Sequence, residues 1–393
     1  MKDLYIFANT AYGKELSGGD RIFIEISRRW DGKVKLFTSE DGFNITKRSN
    51  LENVEYNIWT KSEFNKFGYF FTYIVKTIHS ILNVIFLKKL NENTVLYSAS
   101  DFLPDSVPAF LLKMKNKKIK WIAGFYLFAP SVFDFFSKSS RRKFRLFKDL
   151  SFWLTQKIAY YLILKFANVI FVTSEPDKKR FIAKGRGGEN IIVIKGGVDL
   201  PSLDTVDTQN MNNKKYDACF LGRLHPQKGV LELIDIWDIV CRERQNSRLA
   251  IIGDGELMEE IEKKIAKNNL GKNIFLFGFM DGKDKYEIFR NSKIILHPAL
   301  YDSGGMSAAE GMAWGLPAVG FDLPHLVEYY PKGMLKAKIG NLKDFAMKII
   351  DLLRDNDLYN RTSREAVDLT SNEWSWDKKV DDIKSKLRIT GVI

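Results

Sequence analysis

Two carboxylates and a pair of glycines lie close together in the stretch from His297 to Gly320. Asp302 precedes Gly304 and Gly305, and Glu310 follows them inside a predicted helix. Glycines at a helix start let a ligand approach the backbone, where free N–H groups favour an anion. Since helical Cβ atoms tilt toward the N-terminus, the Glu310 side chain is expected to reach back to the same loop. The spacing suits a polyol beside an anion, as in a nucleotide sugar.

Two cations, Arg223 and Lys228, lie in a second polar loop, between a predicted strand that begins at Ala218 and a predicted helix that begins near Val230. At the carboxyl edge of a parallel sheet, two cations can neutralise a diphosphate leaving group without a metal ion. Each loop alone also fits an ordinary α/β surface loop, with Asp302 as a helix cap. Together, the two loops favour a phosphate site.

The acidic stretch resembles the signature of the retaining GT-B glycosyltransferases of family four. That signature has two glutamates seven residues apart, followed by Ala-Met-Ala, one residue and Gly-x-Pro. Here seven residues separate Asp302 from Glu310, and Gly311–Pro317 has the sequence Gly-Met-Ala-Trp-Gly-Leu-Pro. Gly222–Leu224 and Lys228–Gly229 are similar to the family's Gly-Arg-Leu and Lys-Gly elements.

The resemblance implies a role for each of these residues, and it covers about Ala218 to Leu353. Arg223 and Lys228 are expected to hold the donor diphosphate and Glu310 the ribose, while Asp302 and the nearby backbone hold the transferred sugar. The predicted catalytic residues are Asp302, Glu310, Arg223 and Lys228, and the predicted donor-binding residues are Gly19, Arg223, Lys228, Met280, Gly304, Gly305, Met306, Ser307 and Glu310. Because Asp302 is one methylene shorter than glutamate, the family's donor sugar is not carried over.

The N-terminal half supplies candidates for the acceptor side. Asp101 follows the predicted strand Thr94–Tyr97, and a helix cap before Pro104 is its plainer interpretation. Many family members have a histidine after the strand that matches Lys120–Ala123, whereas Tyr126 stands near that position here. Tyrosine is a poor general base near neutral pH, so the identity of any base stays open.

Composition indicates a soluble, globular chain of 393 residues, long enough for two domains, with 45% hydrophobic and 28% charged residues. Cys219 and Cys241 have neither metal spacing nor a disulfide framework, which fits a reducing, cytoplasmic compartment. The four histidines are scattered, and we expect no metal and no cofactor. The N-terminus is not typical of a signal peptide. Phe67–Leu87 is the most membrane-like run, and we expect a helix packed on a sheet rather than a transmembrane span.

The net charge of +13 implies anionic partners. Basic and aromatic residues alternate within Phe133–Lys165, a pattern that suits an anionic membrane surface on the inner face. RNA binding and a plain solvated helix face are the alternatives. Since no nucleic-acid module accompanies the pattern, we expect peripheral membrane contact and no nucleic acid.

Predicted strands alternate with predicted helices along the chain, which indicates an α/β protein with parallel sheets. The resemblance implies the GT-B fold, in which two Rossmann-like domains face each other across a cleft and a C-terminal helix crosses back to the first domain. The expected parts are residues 1–197, a polar linker at 198–215, residues 216–374, and a helix over about 375–393.

These observations predict a retaining, metal-independent glycosyltransferase that uses a nucleotide-diphosphate sugar. Its acceptor is expected to be a lipid-linked or membrane-proximal glycan, as in surface polysaccharide biosynthesis. The missing histidine motivates an alternative, a catalytically silent nucleotide-sugar-binding subunit that supports a partner transferase. Asp355–Asp357 is an acid-x-acid triplet of the kind metal-dependent glycosyltransferases use, but its position favours an exposed helix end.

Overall fold

The computed structural model describes residues 2–11, 17–87, 90–129, 146–202, 213–302 and 304–393, with only the backbone at 146–151 and 325. The chain forms two compact units. The first unit is Met1–Gly196 with Val380–Ile393, and the second unit is Gly197–Lys379. Ser303, most of the expected linker and the basic half of the predicted membrane segment lie outside the described residues.

The first unit contains one parallel sheet of seven strands. The strands are β1 (Asp3–Ala8), β2 (Val34–Ser39), β3 (Glu55–Thr60), β4 (Thr94–Ser98), β5 (Lys120–Gly124), β6 (Val169–Val172) and β7 (Ile191–Val193). The helices are α1 (Gly18–Arg28), α2 (Glu40–Arg48), α3 (Tyr69–Phe86), α4 (Leu103–Lys115), α5 (Leu146–Phe166) and α6 (Glu175–Ile182). The strand order is β3-β2-β1-β4-β5-β6-β7, so the winding reverses between β1 and β4.

The second unit contains a parallel sheet of six strands in the same style. The strands are β8 (Tyr216–Leu221), β9 (Leu249–Ile252), β10 (Ile274–Leu276), β11 (Ser292–His297), β12 (Ala318–Phe321) and β13 (Met334–Ala337). The helices are α7 (Val230–Glu243), α8 (Met258–Lys267), α9 (Gly282–Arg290), α10 (Met306–Ala313), α11 (Pro324–Tyr329), α12 (Leu342–Arg354) and α13 (Asn356–Glu373). The order β10-β9-β8-β11-β12-β13 places the reversal between β8 and β11.

The central strand β11 shows why this sequence forms a covered sheet. Ile294, Ile295 and Leu296 are all buried, as expected of a parallel strand with helices on both faces. Gly311 lets α10 lie directly on β11, because a Cβ at that position would stand 2.8 Å from Ile295 Cβ. The start of α10 is therefore held at a fixed place beside the carboxyl end of β11.

Helix α1 begins at Gly18, directly after the N-cap Ser17. Ser17 and Asp20 form a capping box, in which Asp20 N donates to Ser17 Oγ at 3.2 Å and Ser17 N donates to Asp20 Oδ2 at 2.9 Å. Gly19 consequently lies in the first helical turn. The edge strands β3 and β13 were not predicted.

The last helix, α14 (Trp376–Ile389), begins in the second unit and ends in the first. Val380, Ile383 and Leu387 are buried, and Lys384 Nζ lies 3.0 Å from Asp31 Oδ2. At the unit boundary, Val198 N donates to Trp374 O at 2.8 Å, so the beginning of the expected linker belongs to the second unit.

Within the described part of the chain, one helix is long and apolar enough, by length and composition alone, to cross a membrane. This helix is α3, and 22% of the stretch is buried. As expected, it packs on the first sheet, where it contacts β3, and most of its apolar residues lie on the exposed side, as described below.

Candidate donor site in the second unit

The candidate site lies where the winding of the second sheet reverses. Strands β8 and β11 are neighbours, and the chain leaves them toward opposite sides of the sheet. In open α/β sheets, ligands bind in the crevice that this reversal opens at the carboxyl ends of the strands. The loop after β8 contains Arg223 and Lys228, and the loop after β11 contains Asp302. The structure therefore brings the two predicted loops to one place.

Gly229 fixes how these two loops meet. Its φ is +65°, and a Cβ there would stand 2.0 Å from Pro298 O. The left-handed conformation and the close backbone contact both require glycine at this position. Leu300 N also donates to Gln227 O at 3.1 Å. A side chain at position 229 would separate Lys228 from the loop that contains Asp302.

Asp302 lies between two cationic or ionisable partners. Lys228 Nζ is 2.7 Å from Asp302 Oδ2, and His297 Nε2 is 3.1 Å from the same oxygen. Both Asp302 and His297 are buried. Burial alone would raise the pKa of Asp302, but Lys228 and His297 hold that pKa well below its usual range. Asp302 is therefore a charged carboxylate whose lysine partner could be exchanged for a phosphate.

The loop from Gly304 to the start of α10 is held by tyrosines of α11 and the residue after it. Tyr330 Oη lies 3.0 Å from Gly304 O and 2.7 Å from Gly305 O. A Cβ on Gly304 would stand 2.6 Å from the Tyr329 ring. The first backbone N–H groups of a helix have no intrahelical acceptor. The N–H groups of Met306 and Ser307 are therefore of the type that can bind an anion.

Glu310 forms a second ion pair, separate from that of Asp302. Lys285 Nζ lies 2.7 Å from Glu310 Oε2 and 3.0 Å from Asp281 Oδ1. Burial alone would lower the pKa of Lys285, but Glu310 and Asp281 together raise it above its usual value. Lys285 is buried, whereas Glu310 is partly exposed and directs its carboxylate to the same edge of the unit. The lysine thus restrains the acidic group expected to bind ribose.

Two further predicted residues lie on loops that follow strands β8 and β10 of the same sheet. Arg223 is exposed on the loop after β8, and Met280 is half-buried after β10. Gly278, two residues before Met280, has φ +67° and accepts a hydrogen bond from Gly253 N at 2.8 Å. This turn connects the loops after β9 and β10 through their backbone.

The C-terminal part of the chain matches a known family. The model of the glycosyl transferases group 1 family matches residues 204–368, which include both loops and both ion pairs. The loops after β8 and β11 therefore lie within the part of the chain that matches this glycosyltransferase family.

Similar proteins extend this finding. A poly(glycerol-phosphate) alpha-glucosyltransferase of Bacillus subtilis is 27% identical over 202 residues, which are 50% of this chain and 29% of that enzyme. An uncharacterized glycosyltransferase of Methanocaldococcus jannaschii is 24% identical over 247 residues, 61% of this chain and 62% of that protein. The chain thus aligns with less than two thirds of either relative.

Among solved structures, the Anabaena protein HepE in complex with UDP and glucose has a TM-score of 0.71 at 15% identity, with 99% of this chain and 100% of that chain covered. This likeness, across nearly the whole chain, shows that the fold is GT-B.

The first unit has its own polar cluster beside its winding reversal, at residues outside the matched range 204–368. A Cβ on Gly19 would stand 3.1 Å from Tyr126 Cδ2, so the ring of Tyr126 lies against the first turn of α1. The hydroxyls of Tyr126 and Tyr97 are hydrogen-bonded to each other. Burial and the neighbouring Tyr97 raise the pKa of Tyr126 well above its usual value, which makes it a neutral group.

Asp101 does not cap α4, so that interpretation is wrong. The N-cap is Phe102, and Gln156 Nε2 donates to Asp101 Oδ2 at 2.7 Å instead. Asp101 is buried, and burial raises its pKa to about 6. Gly19 and Tyr126 lie together, while Asp101 is covered by α5.

Asp105 was not predicted as a polar centre of this region. Its oxygens accept hydrogen bonds from Asn9 N at 2.6 Å, Thr10 Oγ1 at 3.0 Å and Ser100 Oγ at 2.5 Å. Asp105 therefore joins the loops after β1 and β4. Burial raises its pKa to about 7.

Sequence reasoning also missed three residues of the donor region: His297, Lys285 and Tyr330. His297 had a signal, because it ends a buried strand at the carboxyl edge of the sheet. Lys285 and Tyr330 are distant from the site residues in the sequence and reach them only in the folded structure, so no local sequence pattern indicates them.

No group of three or more His, Cys, Asp and Glu side chains that could hold a metal ion occurs among the described residues. In the acid-x-acid triplet, Asp355 is the N-cap of α13 and accepts a hydrogen bond from Leu358 N at 2.9 Å.

Proposed function

We propose that the chain is a retaining glycosyltransferase that transfers a sugar from a nucleotide-diphosphate sugar to a hydroxyl group without a metal ion. The observation that carries this proposal is the ion pair between Lys228 and Asp302, which joins the loops after β8 and β11 beside the start of α10. The family match of residues 204–368 and the GT-B fold support it.

The cations of the loop after β8 take the diphosphate. When the donor binds, Lys228 exchanges Asp302 for a phosphate oxygen, and the exposed Arg223 supplies a second positive charge. The backbone N–H groups at the start of α10 add a third favourable interaction. Positive groups placed at the leaving diphosphate stabilise the charge that develops there, so the departure needs no metal ion.

The two acidic residues orient the sugars of the donor. Glu310, restrained by Lys285, accepts hydrogen bonds from the ribose hydroxyls. Asp302, released from Lys228, and the backbone of Gly304 to Ser307 hold the transferred sugar. Met280 and the turn before it are placed at the nucleobase. We assign the role of accepting the hydroxyl proton to the leaving phosphate itself.

Retention is supported by the similarity to an alpha-glucosyltransferase. Because nucleotide-activated glucose carries its leaving group in the α configuration, an α-linked product corresponds to retention. The same relative acts on poly(glycerol phosphate), which favours a polyol-phosphate or glycan acceptor of this chain, lipid-linked or close to a membrane. We assign the acceptor to the first unit near Gly19 and Tyr126, on the cytoplasmic face of the membrane, rather than to the covered Asp101.

The test is thermal unfolding of the purified protein with a panel of nucleotide diphosphates and their sugars, in the presence of a chelator. One nucleotide should raise the unfolding midpoint, because a ligand that binds only the folded state stabilises it. Arg223→Ala and Lys228→Ala should abolish the shift. With the identified donor, the anomeric configuration of the first product, read by NMR, tests retention.

Two results would contradict the proposal. A shift that appears only with added divalent metal would exclude metal-independent binding. Donor binding without transfer or hydrolysis, across a broad panel of acceptors, would favour a silent nucleotide-sugar-binding subunit instead.

A further inference from the structure

Helix α3 has its polar and apolar sides reversed. The buried positions of its 18 residues are Thr72, Lys76, Ser80 and Val84, three of which are polar. A helix on the surface of a protein in water normally buries its apolar stripe and exposes its charges. Here the opposite side of the helix meets the surroundings, and that side is apolar.

The exposed side forms a continuous row, which we name the α3 face. It includes Phe67 of the 3₁₀ turn Ser62–Phe67 that precedes the helix. The members are Phe67, Tyr69, Phe70, Phe71, Ile74, Ile78, Leu82, Ile85 and Phe86, each at least 40% exposed. Every exposed residue of α3 is in this set, and the helix contains no Asp or Glu. An apolar row of this length on a protein surface indicates an interaction site.

Polar contacts hold the other side of α3 on the first unit. Lys76 Nζ donates to Ala11 O and lies 3.8 Å from Asp41 Oδ2. Tyr73 Oη accepts a hydrogen bond from Leu103 N at 3.0 Å. These contacts are specific, so the orientation of the helix is set by the fold. The helix cannot rotate about its axis without breaking these contacts, so the α3 face stays exposed.

Another helix of the first unit also exposes apolar residues. Helix α3 packs on α4, and α4 packs on α5, so the three helices form one layer. On α5, Leu154, Ile158 and Tyr161 are exposed at helical spacing. The exposed Lys157 and Lys165 lie between and after them. Apolar residues with interleaved lysines are typical of a helix at the boundary between water and lipid.

Charge distinguishes the two units and points to the nature of the partner. The first unit contains 36 Lys and Arg against 20 Asp and Glu, a formal charge of +16. The second unit contains 25 against 28, a formal charge of −3. The exposed Lys61 and Lys66 lie before the α3 face, and Lys115 donates to Val84 O at 2.8 Å at its end. The apolar row is thus bordered by cations.

We propose that the α3 face docks on an anionic phospholipid bilayer, with α3 lying in the plane of the membrane surface. Aromatic and aliphatic side chains enter the acyl boundary, while the bordering lysines contact the anionic head groups. The helix does not span the bilayer, because β3 and β4 on either side of it belong to the same sheet. Two copies of this face would bring like charges together, which disfavours a dimer.

The proposal is tested by flotation of the full chain with vesicles of phosphatidylcholine alone or of phosphatidylcholine with phosphatidylglycerol. Binding is expected to the anionic vesicles, with weaker binding at high salt. The double variant Ile78→Glu with Leu82→Glu should weaken the binding about tenfold or more, because two charges enter the apolar row. No nucleotide sugar is added, so the result is independent of the proposed transfer reaction.

The matched control is Ile339→Glu with Met347→Glu, which changes two exposed apolar residues of the second unit by the same charge. This variant should bind anionic vesicles nearly as the unchanged protein does. Equal losses in both double variants would show a response to net charge alone and would overturn the proposal.

A second readout places the contact. An environment-sensitive fluorophore on Ile78→Cys should shift to shorter wavelength when anionic vesicles are added, and one on Met347→Cys should not. Lack of a shift at position 78 would overturn the proposal. So would a lower oligomeric state of the Ile78 and Leu82 double variant without lipid, which would indicate a second copy as the occupant. A large fall in its unfolding midpoint, with vesicle binding kept, would indicate cover by the chain itself.

Discussion

A buried aspartate stands near the winding reversal of each sheet, and the two are stabilised in opposite ways. Asp302 lies beside β11, where Lys228 and His297 hold its pKa well below the usual range. Asp105 lies beside β1 and β4, where its neighbours Asn9, Thr10 and Ser100 are neutral donors. Burial therefore raises the pKa of Asp105 to about 7.

The difference shows what each carboxylate can contribute. When a phosphate binds, the lysine can leave its ion pair with a charged aspartate and pair with the phosphate instead. Such an exchange suits a donor site. An aspartate with neutral partners, which takes up a proton near neutral pH, instead joins two loops by hydrogen bonds. Topology places both residues at equivalent positions, but the partners determine the chemistry.

The largest effect is expected from Lys228→Ala. Removal of the cation should lower kcat/KM by about a hundredfold or more, since one preorganised charge at a developing anion has an effect of that order. The matched control is Lys293→Ala, because Lys293 Nζ lies 2.8 Å from Asp217 Oδ1 with similar burial. Both variants should lose stability, and only Lys228→Ala should lose the donor-induced rise of the unfolding midpoint. Equal kinetic losses would refute a special role for Lys228.

Asp105→Asn tests the neutral carboxylate through pH. The pKa is about 7 in the folded protein and about 4 in the unfolded chain, so the folded state holds the proton more tightly. This contribution to stability is fully present below pH about 4 and is lost as the pH rises through about 7. Over this window, the free energy of unfolding of the unchanged protein should fall by about 4 kcal/mol relative to the variant.

Urea unfolding of both proteins at several pH values measures that difference. A difference that stays constant from pH about 4 to about 8 would show that Asp105 does not titrate in this window.

Lys285→Met tests whether the second ion pair positions Glu310. Without the lysine, Glu310 loses its restraint, and the donor should bind about tenfold more weakly, equivalent to about 1.4 kcal/mol. Lys264→Met is the control, because Lys264 Nζ lies 2.7 Å from Asp235 Oδ2, another ion pair of the second unit. Calorimetric titration with the identified donor distinguishes the two variants. Unchanged affinity in Lys285→Met would limit Lys285 to a structural role.

The smallest effect is expected from Asp355→Ala. Unlike Asp302 and Asp105, Asp355 is an exposed carboxylate that caps a helix. Loss of the N-cap of α13 should lower the free energy of unfolding by about 1 kcal/mol. Donor binding should be unchanged, with or without manganese. Metal-dependent donor binding that disappears in this variant would mean that the triplet holds a metal ion after all.

The sequence was sufficient for the donor loops because their residues are close in the chain. Asp302 and Glu310 are eight positions apart, and a strand, a loop and a helix start place them at one edge of a sheet. Lys285 precedes Glu310 by 25 residues, and no local pattern connects them. The partners of buried charges depend on how separate helices and strands pack against each other. Hydrophobic periodicity carries no information about that packing.

Helix α3 illustrates a second limit. Its composition predicted a helix, but periodicity does not tell which side faces the protein. Lys76 is buried against Ala11 O and Asp41, so the charged side of this helix faces the protein. The fold class was predictable, and the direction of this surface was not.

The return of α14 to the first unit has a consequence for the order in which the protein forms during synthesis. Val380, Ile383 and Leu387 fill part of the first unit, and Lys2 Nζ donates to Val392 O at 2.7 Å. These partners are translated after the whole of the second unit. A ribosome-bound chain can therefore complete the second unit while the first unit still lacks the C-terminal helix that packs on it. The N-terminal residues, which are synthesised first, are thus among the last to be buried.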